Sequence, residues 1–443
     1  MNSPADALRC APAAGPPAAH DHASRAGTLD ELRRIIRRIE NSRPPRPAPE
    51  PVERVVGGEL VETGQGPLVV VRREYPLSHQ HGSLALAHAL DVSPSVLELI
   101  ARAGEAPADA RGLLFLDTET TGLAGGTGTY AFLVGAGYVE GDRFVVVQHF
   151  MRDFDEEPAL LAALHPLLER ASGLVTFNGA GFDVPLLETR FVLARRRWPG
   201  TLAHVDLLRP ARRVWSACFP DCRLTTLERE VLGLIRDNDV PGALIPALYF
   251  EFLRSRSAAP LARVFAHNCD DVLSLAALLG WFTRALDGGA DPPPGAGELA
   301  GLGRLWERAD PERSVACYRQ ALAAGLEGLD GHHVRLRLAL WEKRRARWEA
   351  ACALWQAAAG AGGGFDLRPW EELAKYHEHR RRDIAAARSI VVEALALARA
   401  AAASPRFFDA LTHRLARLER RLGLGGRVSG GAEARLSLSP RRL

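Results

Sequence analysis

The residues best equipped for chemistry are Asp117 and Glu119, in the run Asp117-Thr118-Glu119-Thr120-Thr121-Gly122 directly after the apolar stretch Leu113–Leu116. In a strand, residues i and i+2 point to one side, so two carboxylates emerge together from the end of a buried strand. Two anions a few ångströms apart repel, and burial makes each more costly, so a cation is expected between them. A hard divalent ion with oxygen ligands meets that requirement, and a solvated turn carrying two acids is the plainer alternative. A second cluster is Val175-Thr176-Phe177-Asn178-Gly179-Ala180-Gly181-Phe182-Asp183. An apolar strand ends in Asn178, two glycines allow close backbone approach to a ligand, and Phe182 can anchor the turn or stack on a base. Asp183 then opens a helix, as a catalytic acid or as an ordinary N-cap. The third is His267-Asn268-Cys269-Asp270-Asp271 running into VLSLAALLGWF. Residues i and i+4 share a helix face, so His267 and Asp271 point the same way while Asp270 is rotated off, in a capping position.

Other residues are weaker candidates. Gly125, Gly126, Thr127 and Gly128 can offer backbone amides to a phosphate or simply turn the chain into the next strand. Asp206 ends the strand signal LAHVDLL as an extra acid or a structural one, and Arg195, Arg196 and Arg197 read as a solvated helix end or a phosphate track. Cys218 and Cys222 lack the second ligand pair that a zinc site needs.

The elements that must position these side chains follow from periodicity. LLFLDTET, YAFLVGAGYVEG, RFVVVQHFMRD and GLVTFNG are strand signals, with Glu140-Gly141-Asp142 at a turn. EPALLAALHPLLERA and PLLETRFVLARRR have helical period, and a largely helical stretch runs from Thr225 to about Leu286. A hairpin followed by alternating helices and strands predicts a mixed α/β sheet flanked by helices.

Flanking this region, residues 1–51 comprise an Ala/Pro-rich segment that reads as disordered, a short capped helix LDELRRIIRRIE and the linker SRPPRPAPEP. Residues 52–110, with strand signals ELVETG and PLVVVRREY and the helix SPSVLELIARAG, form an extension packed on the central domain, 111–288. A linker at 289–298 precedes an all-helical region, 299–423, and a tail, 424–443, read as disordered. Within the helical region Ser314/Tyr318/Ala321, Ala350/Leu354/Ala357 and Ala387/Val391/Ala394 recur at steps of 36 and 37 residues. Small residues at these offsets fit tetratricopeptide-type repeats or an Ala-rich bundle.

Composition sets few limits. The net charge of +3 over 443 residues announces no nucleic-acid binder in bulk, so any basic surface is local. Lys343 and Lys375 are the only lysines. Six irregularly spaced cysteines suggest reduced thiols. No run of apolar residues predicts a membrane span and no signal peptide is evident, so the expected location is the cytoplasm.

In order, Asp-x-Glu after a strand, Asn-x-x-x-Phe-Asp after a second and His-x-x-x-Asp on a helix resemble the DEDD exonuclease superfamily. GLAGGTGTYAFLVG, FNGAGFDVPLL, LTTLEREVLGL and HNCDDVLSL resemble more closely the bacterial YprB-like RNase H-like family, in which such a domain is paired with tetratricopeptide-like repeats. The resemblance implies an RNase H-like 3′–5′ exonuclease of DNA or RNA, acting on a single strand or 3′ end. It makes Asp117, Glu119, Asp183 and Asp271 ligands of two Mg²⁺ or Mn²⁺ ions that clamp the scissile phosphate. It gives His267 the task of orienting or deprotonating the attacking water. Thr118, Thr121, Asn178 and Phe182 would contact substrate, and the helical repeats would take a protein partner. The histidine stands four residues before the final Asp, where such exonucleases place a tyrosine; those with histidine place it five before. Two other readings share the pattern: an endonuclease using the same metals, and a catalytically silent interaction protein.

Overall fold

The computed structural model describes residues 34, 50–101, 106–107, 109–122, 126–200, 203–360 and 364–424. The short N-terminal helix apart from Arg34, nearly all of the tail, Cys10 and Gly125 therefore lie outside the described residues.

A seven-stranded mixed sheet runs in the order β1-β2-β7-β6-β5-β8-β9. Its strands are β1 (Glu59–Thr63), β2 (Gly66–Pro76), β5 (Leu113–Thr120), β6 (Ala131–Glu140), β7 (Arg143–Phe150), β8 (Gly173–Thr176) and β9 (His204–Asp206). A two-stranded hairpin, β3 (Gln80–His81) and β4 (Leu84–Ala85), stands apart. β5 pairs antiparallel with β6 and parallel with β8, and β8 pairs parallel with β9. The chain thus has the expected mixed sheet with flanking helices, followed by a helix-rich C-terminal region. Residues 59–76 supply two strands of that same sheet. Gly141 takes φ +59°, which closes the two-residue turn between β6 and β7 at the expected place.

Strand alternation divides the interior into two cores, one on each sheet face. Leu113 and Phe115 face a layer that includes Cys269, Val272 and Leu273 of helix α8 (Leu261–Asp287). Leu114 and Leu116 face the other layer, with Leu160, Leu164 and Leu187 from α3 (Glu157–Arg170) and α4 (Asp183–Leu193). Continuing the first row by twos leads to Asp117 and Glu119, so the two acids lie on the α8 side.

The remaining helices of this part are α1 (Val52–Val56), α2 (Pro94–Ile100), α5 (Leu208–Trp215), α6 (Leu224–Leu227) and α7 (Ile245–Ser255). A π-helical turn, Glu228–Leu232, continues α6, and residues 233–241 form a loop before α7. The stretch from Thr225 to Leu286 is thus less continuous than its period predicts. α8 begins at Leu261, well before His267, so Asp270 sits in mid-helix and caps nothing.

After α8, which ends at Gly288 in the left-handed region, come α9 (Ala296–Trp306), α10 (Pro311–Ala323), α11 (Gly328–Arg344), α12 (Trp348–Ala359), α13 (Leu367–Lys375), α14 (Ile384–Ala400) and α15 (Pro405–Arg421). Neighbours in sequence pack on one another in this series. Asp310 and Asp383 cap α10 and α14 by accepting amides of their first turns. Ser314, Tyr318 and Ala321 are buried on α10, and Ala387, Val391 and Ala394 on α14. On α12 the buried set is Ala351, Trp355 and Ala358, one residue later than expected, so the steps are 37 and then 36. Alanines stand on both sides of that helix, and the larger apolar surface of Trp355 decides which side turns inward. No helix among the described residues is long and apolar enough to cross a membrane.

Candidate metal centre

Asp117 and Glu119 face Gly135 and Leu133 of β6 across the antiparallel ladder. Gly135 lets α8 approach: a Cβ there would lie 2.3 Å from Oδ1 of Asn268. In that space the Asn268 amide is held on both sides. Its Nδ2 donates to Asp117 Oδ2 at 2.8 Å, and its Oδ1 accepts from Gln148 Nε2 at 2.9 Å. Asn268 is thus the strut between helix and acid. The sequence shows it only indirectly, through alternate glycines 135 and 137 in mid-strand.

Asp183 is the first residue of α4, and the side-chain cap at that end is absent. Its carboxylate instead accepts the hydroxyl proton of Thr118 from the neighbouring strand. The loop leading to it is shaped by Asp206, which accepts the amides of Asn178 (2.7 Å), Ala180 (3.2 Å) and Leu208 (3.1 Å). Asp206 is therefore structural. Asn178 takes φ +68° and exposes its side chain, while Phe182 is half-buried at the helix start. Thr121 accepts from the amide of Tyr130 and braces the turn, and Gly126 takes φ +102° nearby.

From α8, His267 and Asp271 project one turn apart, as their spacing predicts. His267 Nε2 stands 3.6 Å from Asp271 Oδ2 and 3.9 Å from Glu119 Oε1. On its other side Nδ1 lies 2.7 Å from Asp239 Oδ1. With a proton on Nδ1 donated to Asp239, the neutral ring leaves Nε2 as the acceptor facing the acids. Arg236, from the same loop as Asp239, bonds through Nη2 to Asp271 Oδ1 and to buried Glu228. Glu228 lies within LTTLEREVLGL without a role assigned to it, Arg236 and Asp239 belong to no motif, and the helical reading of this stretch hides all three.

Burial, reinforced by Asp271, Glu119 and Asp183, holds the Asp117 carboxyl well above the usual carboxylate range. Burial pushes Glu119 up to about 8, against the pull of His267. Asp183 rises to about 6, burial outweighing the hydroxyl of Thr118. Burial disfavours the His267 cation, but Asp271, Glu119 and Asp239 more than offset this and raise its pKa. Asp117, Glu119 and Asp183 thus resist ionisation chiefly because they are buried.

Among the described residues no three carboxylate, imidazole or thiolate groups already converge as ready-made ligands. Arg236 holds Asp271, Asn268 holds Asp117 and Thr118 holds Asp183, each by a hydrogen bond. The donor set fits a hard divalent cation: four acids supplying oxygen alone, three of them buried enough to resist ionisation without one.

Residues 114–283 match a family described as the RNase H superfamily. The chain is also similar to a Bacillus subtilis (strain 168) protein bearing the name "Uncharacterized protein YprB". The two are 34% identical over 357 residues, 79% of this chain and 84% of the other.

Proposed function

The chain belongs to the family of Bacillus subtilis YprB, and we propose that its RNase H-like domain is a divalent-metal-dependent phosphodiester hydrolase, a 3′–5′ exonuclease of DNA or RNA. The RNase H superfamily, which residues 114–283 match, consists mostly of nucleases acting on nucleic acid, typically with divalent ions. The observation that supports the finer reading is that Asp117, Glu119, Asp183 and Asp271, from three separate stretches of chain, lie near enough for Asp117 to feel the other three, with His267 Nε2 3.6 Å from Asp271 and 3.9 Å from Glu119.

In this reading Asp117, Glu119, Asp183 and Asp271 would hold two Mg²⁺ or Mn²⁺ ions. Such ions supply charge for the scissile phosphate and for the leaving 3′-oxygen, and lower the pKa of a bound water. His267 takes the proton of the attacking water on Nε2, because Asp239 fixes its other nitrogen as the donor. Asp239 also stabilises the imidazolium formed by that transfer. Asn268 holds Asp117 in place, and Thr118 does the same for Asp183. Asn178 and Phe182, at the exposed lip beside Asp183, are placed to meet a sugar or base. The helical region is read as tetratricopeptide-like repeats that bind a protein partner along one face.

The test incubates purified protein and its Asp183→Asn variant with 5′-labelled single-stranded DNA and RNA, with Mn²⁺ or EDTA. Metal-dependent shortening from the 3′ end, lost in the variant and blocked by a 3′-terminal cap, supports the reading. Internal cuts that ignore the cap point to an endonuclease. Absence of cleavage on any substrate with either metal overturns the enzyme reading and leaves the helices as the working part.

A further inference from the structure

Where the RNase H-like domain meets the helical region, a groove of about 650 Å³ lies between α2, α5 and the corner from α9 into α10. Four exposed arginines line it: Arg209 and Arg213 from α5, Arg308 from the corner and Arg313 from α10. The acids lining it are Glu98 and Asp310. Asp310 is already engaged, capping α10 with Oδ1 while Oδ2 lies 3.5 Å from Arg313 Nε. Arg209 and Arg308 have no hydrogen-bond or ion-pair partner among the described residues. The whole chain carries only +3, so four arginines against two acids make this groove the kind of local basic surface that bulk composition conceals.

The walls of the groove are fixed to one another. Gly301 of α9 lies so close to α5 that a Cβ there would fall 2.4 Å from Val214 Cα. Arg213 Nη1 donates to Arg304 O at 3.3 Å, and Arg304 Nε returns a bond to Arg213 O at 3.1 Å. Trp215 Nε1 donates to Glu298 Oε1 of α9 at 2.7 Å. The backbone positions of these arginines are therefore set before any ligand arrives, which lowers the ordering cost of binding. The groove also begins beside the candidate metal centre. Asp206 Oδ1 accepts the amide of Leu208, the first residue of α5, and the same oxygen accepts the amide of Asn178. Arg209 thus stands next to the residue tied to the Asn178 lip, and Arg213 follows one helical turn on, about 6 Å along the axis.

We propose that this groove binds the phosphate backbone of a nucleic-acid strand, taking the part that leads away from the 3′ end held at the metal centre. A guanidinium with no acid partner can meet a phosphate with two parallel N–H donors, and Arg209 and Arg308 are free to do so. The helical region then supplies one wall of a nucleic-acid site. The direction of the strand rests on the exonuclease reading above; the binding itself does not.

The experiment follows the fluorescence anisotropy of labelled single-stranded DNA and RNA of about 20 nucleotides, bound to the full chain in EDTA at several salt concentrations. Wild type is compared with Arg209→Ala plus Arg308→Ala, and with the same two positions changed to lysine. Arg195→Ala plus Arg197→Ala is the control, removing equal charge from exposed residues just past α4, about 16 Å along that helix from Asp183. Arg209 and Arg308 bond to nothing within the chain, so the alanine pair should keep the wild-type Tm. It is expected to bind the strand about tenfold more weakly. The slope of log K against log salt should fall by about 1.4, since each phosphate contact on a single strand contributes about 0.7. The lysine pair keeps most of the affinity, and the control keeps nearly all of it. Wild-type affinity and slope in the alanine pair, an equal loss in the control, or no binding by wild type overturns the proposal. So does a glutamate-rich peptide that binds more tightly than the strand through the same two arginines, which assigns the groove to an acidic protein segment. Groove-dependent binding by a protein that cleaves nothing with Mn²⁺ upholds the groove and removes the exonuclease reading alone.

Discussion

Substitution of Gly135 by alanine probes how the fold builds the site. The new Cβ would lie 2.3 Å from Asn268 Oδ1, 2.9 Å from its Cγ and 3.0 Å from its Nδ2. Carbon and oxygen normally meet at about 3.3 Å, so the overlap is roughly 1 Å. Two responses are open. Helix α8 can retreat by about that distance, at an overpacking cost of about 1–3 kcal/mol. Alternatively the Asn268 amide can swing out, breaking its bonds to Asp117 and Gln148 at about 1–3 kcal/mol for each group left unsatisfied. Gln148 Nε2 keeps Phe265 O at 2.8 Å, so the second route chiefly strips Asp117. A loss of about 2–4 kcal/mol, or about 5–10 °C in Tm, is expected by calorimetry. Because α8 carries His267 and Asp271, a 1 Å shift also predicts a loss of metal-dependent cleavage of about 10²-fold.

The control is Gly137→Ala, whose Cβ meets Val272 Cγ1 at 2.5 Å and Phe144 Cζ at 2.8 Å. That clash is apolar and can repack, so Tm falls comparably while Mn²⁺ binding suffers less. Adding Asn268→Ala to Gly135→Ala removes the obstacle and should recover Tm without recovering cleavage, since Asp117 still lacks its donor. A Gly135→Ala protein with wild-type Tm, Mn²⁺ affinity and cleavage would refute the argument that Asn268 and Asp117 are held by close approach at this glycine.

Asp239→Asn removes the negative charge that supports His267, so the acidic limb of the kcat/KM profile should move to lower pH and the rate fall by about 10²-fold; an unmoved limb excludes His267 as the base. The metal-free protein should lose stability as pH rises from 4.5 toward 8. Glu119 and Asp183 have folded-state values of about 8 and 6, above their ordinary 4.5 and 3.8, so the folded state keeps protons that the unfolded chain releases. Their contribution is complete below the ordinary values and is lost through the raised ones. Tm in EDTA should therefore fall across this window and flatten in saturating Mn²⁺, whereas a rise in EDTA contradicts the buried-acid picture. In the helical region Glu378, 1% exposed, receives Arg417 at 2.6 Å, Arg421 at 2.9 Å and Arg414 at 3.1 Å. Glu378→Ala leaves three arginines facing one another and should loosen α15 by about 2–4 kcal/mol, seen as faster tryptic cleavage there; unchanged protection argues against that anchor.

What the chain reveals of this site before folding, and what it withholds, follows from the range of each signal. Asp117 and Glu119 are legible because a period of two fixes their common side whatever else the chain does, and His267 and Asp271 because a helical turn does the same. Asp183 is a different case. An acid at a helix start suits a cap and a ligand equally, and only the hydroxyl of Thr118, sixty-five residues earlier, shows which way it turns. The Ala350 register failed because alanine lines both sides of α12, so period alone had no contrast to read. Arg236, Asp239 and Glu228 were lost for a further reason: period describes one element at a time, and these side chains matter through a loop and a π-turn meeting another helix. A signal for that meeting was nevertheless present. Glycines 135 and 137 weaken a buried strand unless something presses against it, and their spacing of two says that the pressure comes from one side. Since a helix pressed there puts a side chain beside Asp117, a mid-strand glycine directly across the ladder from an acid points to the position of the strut, though not to its identity as Asn268.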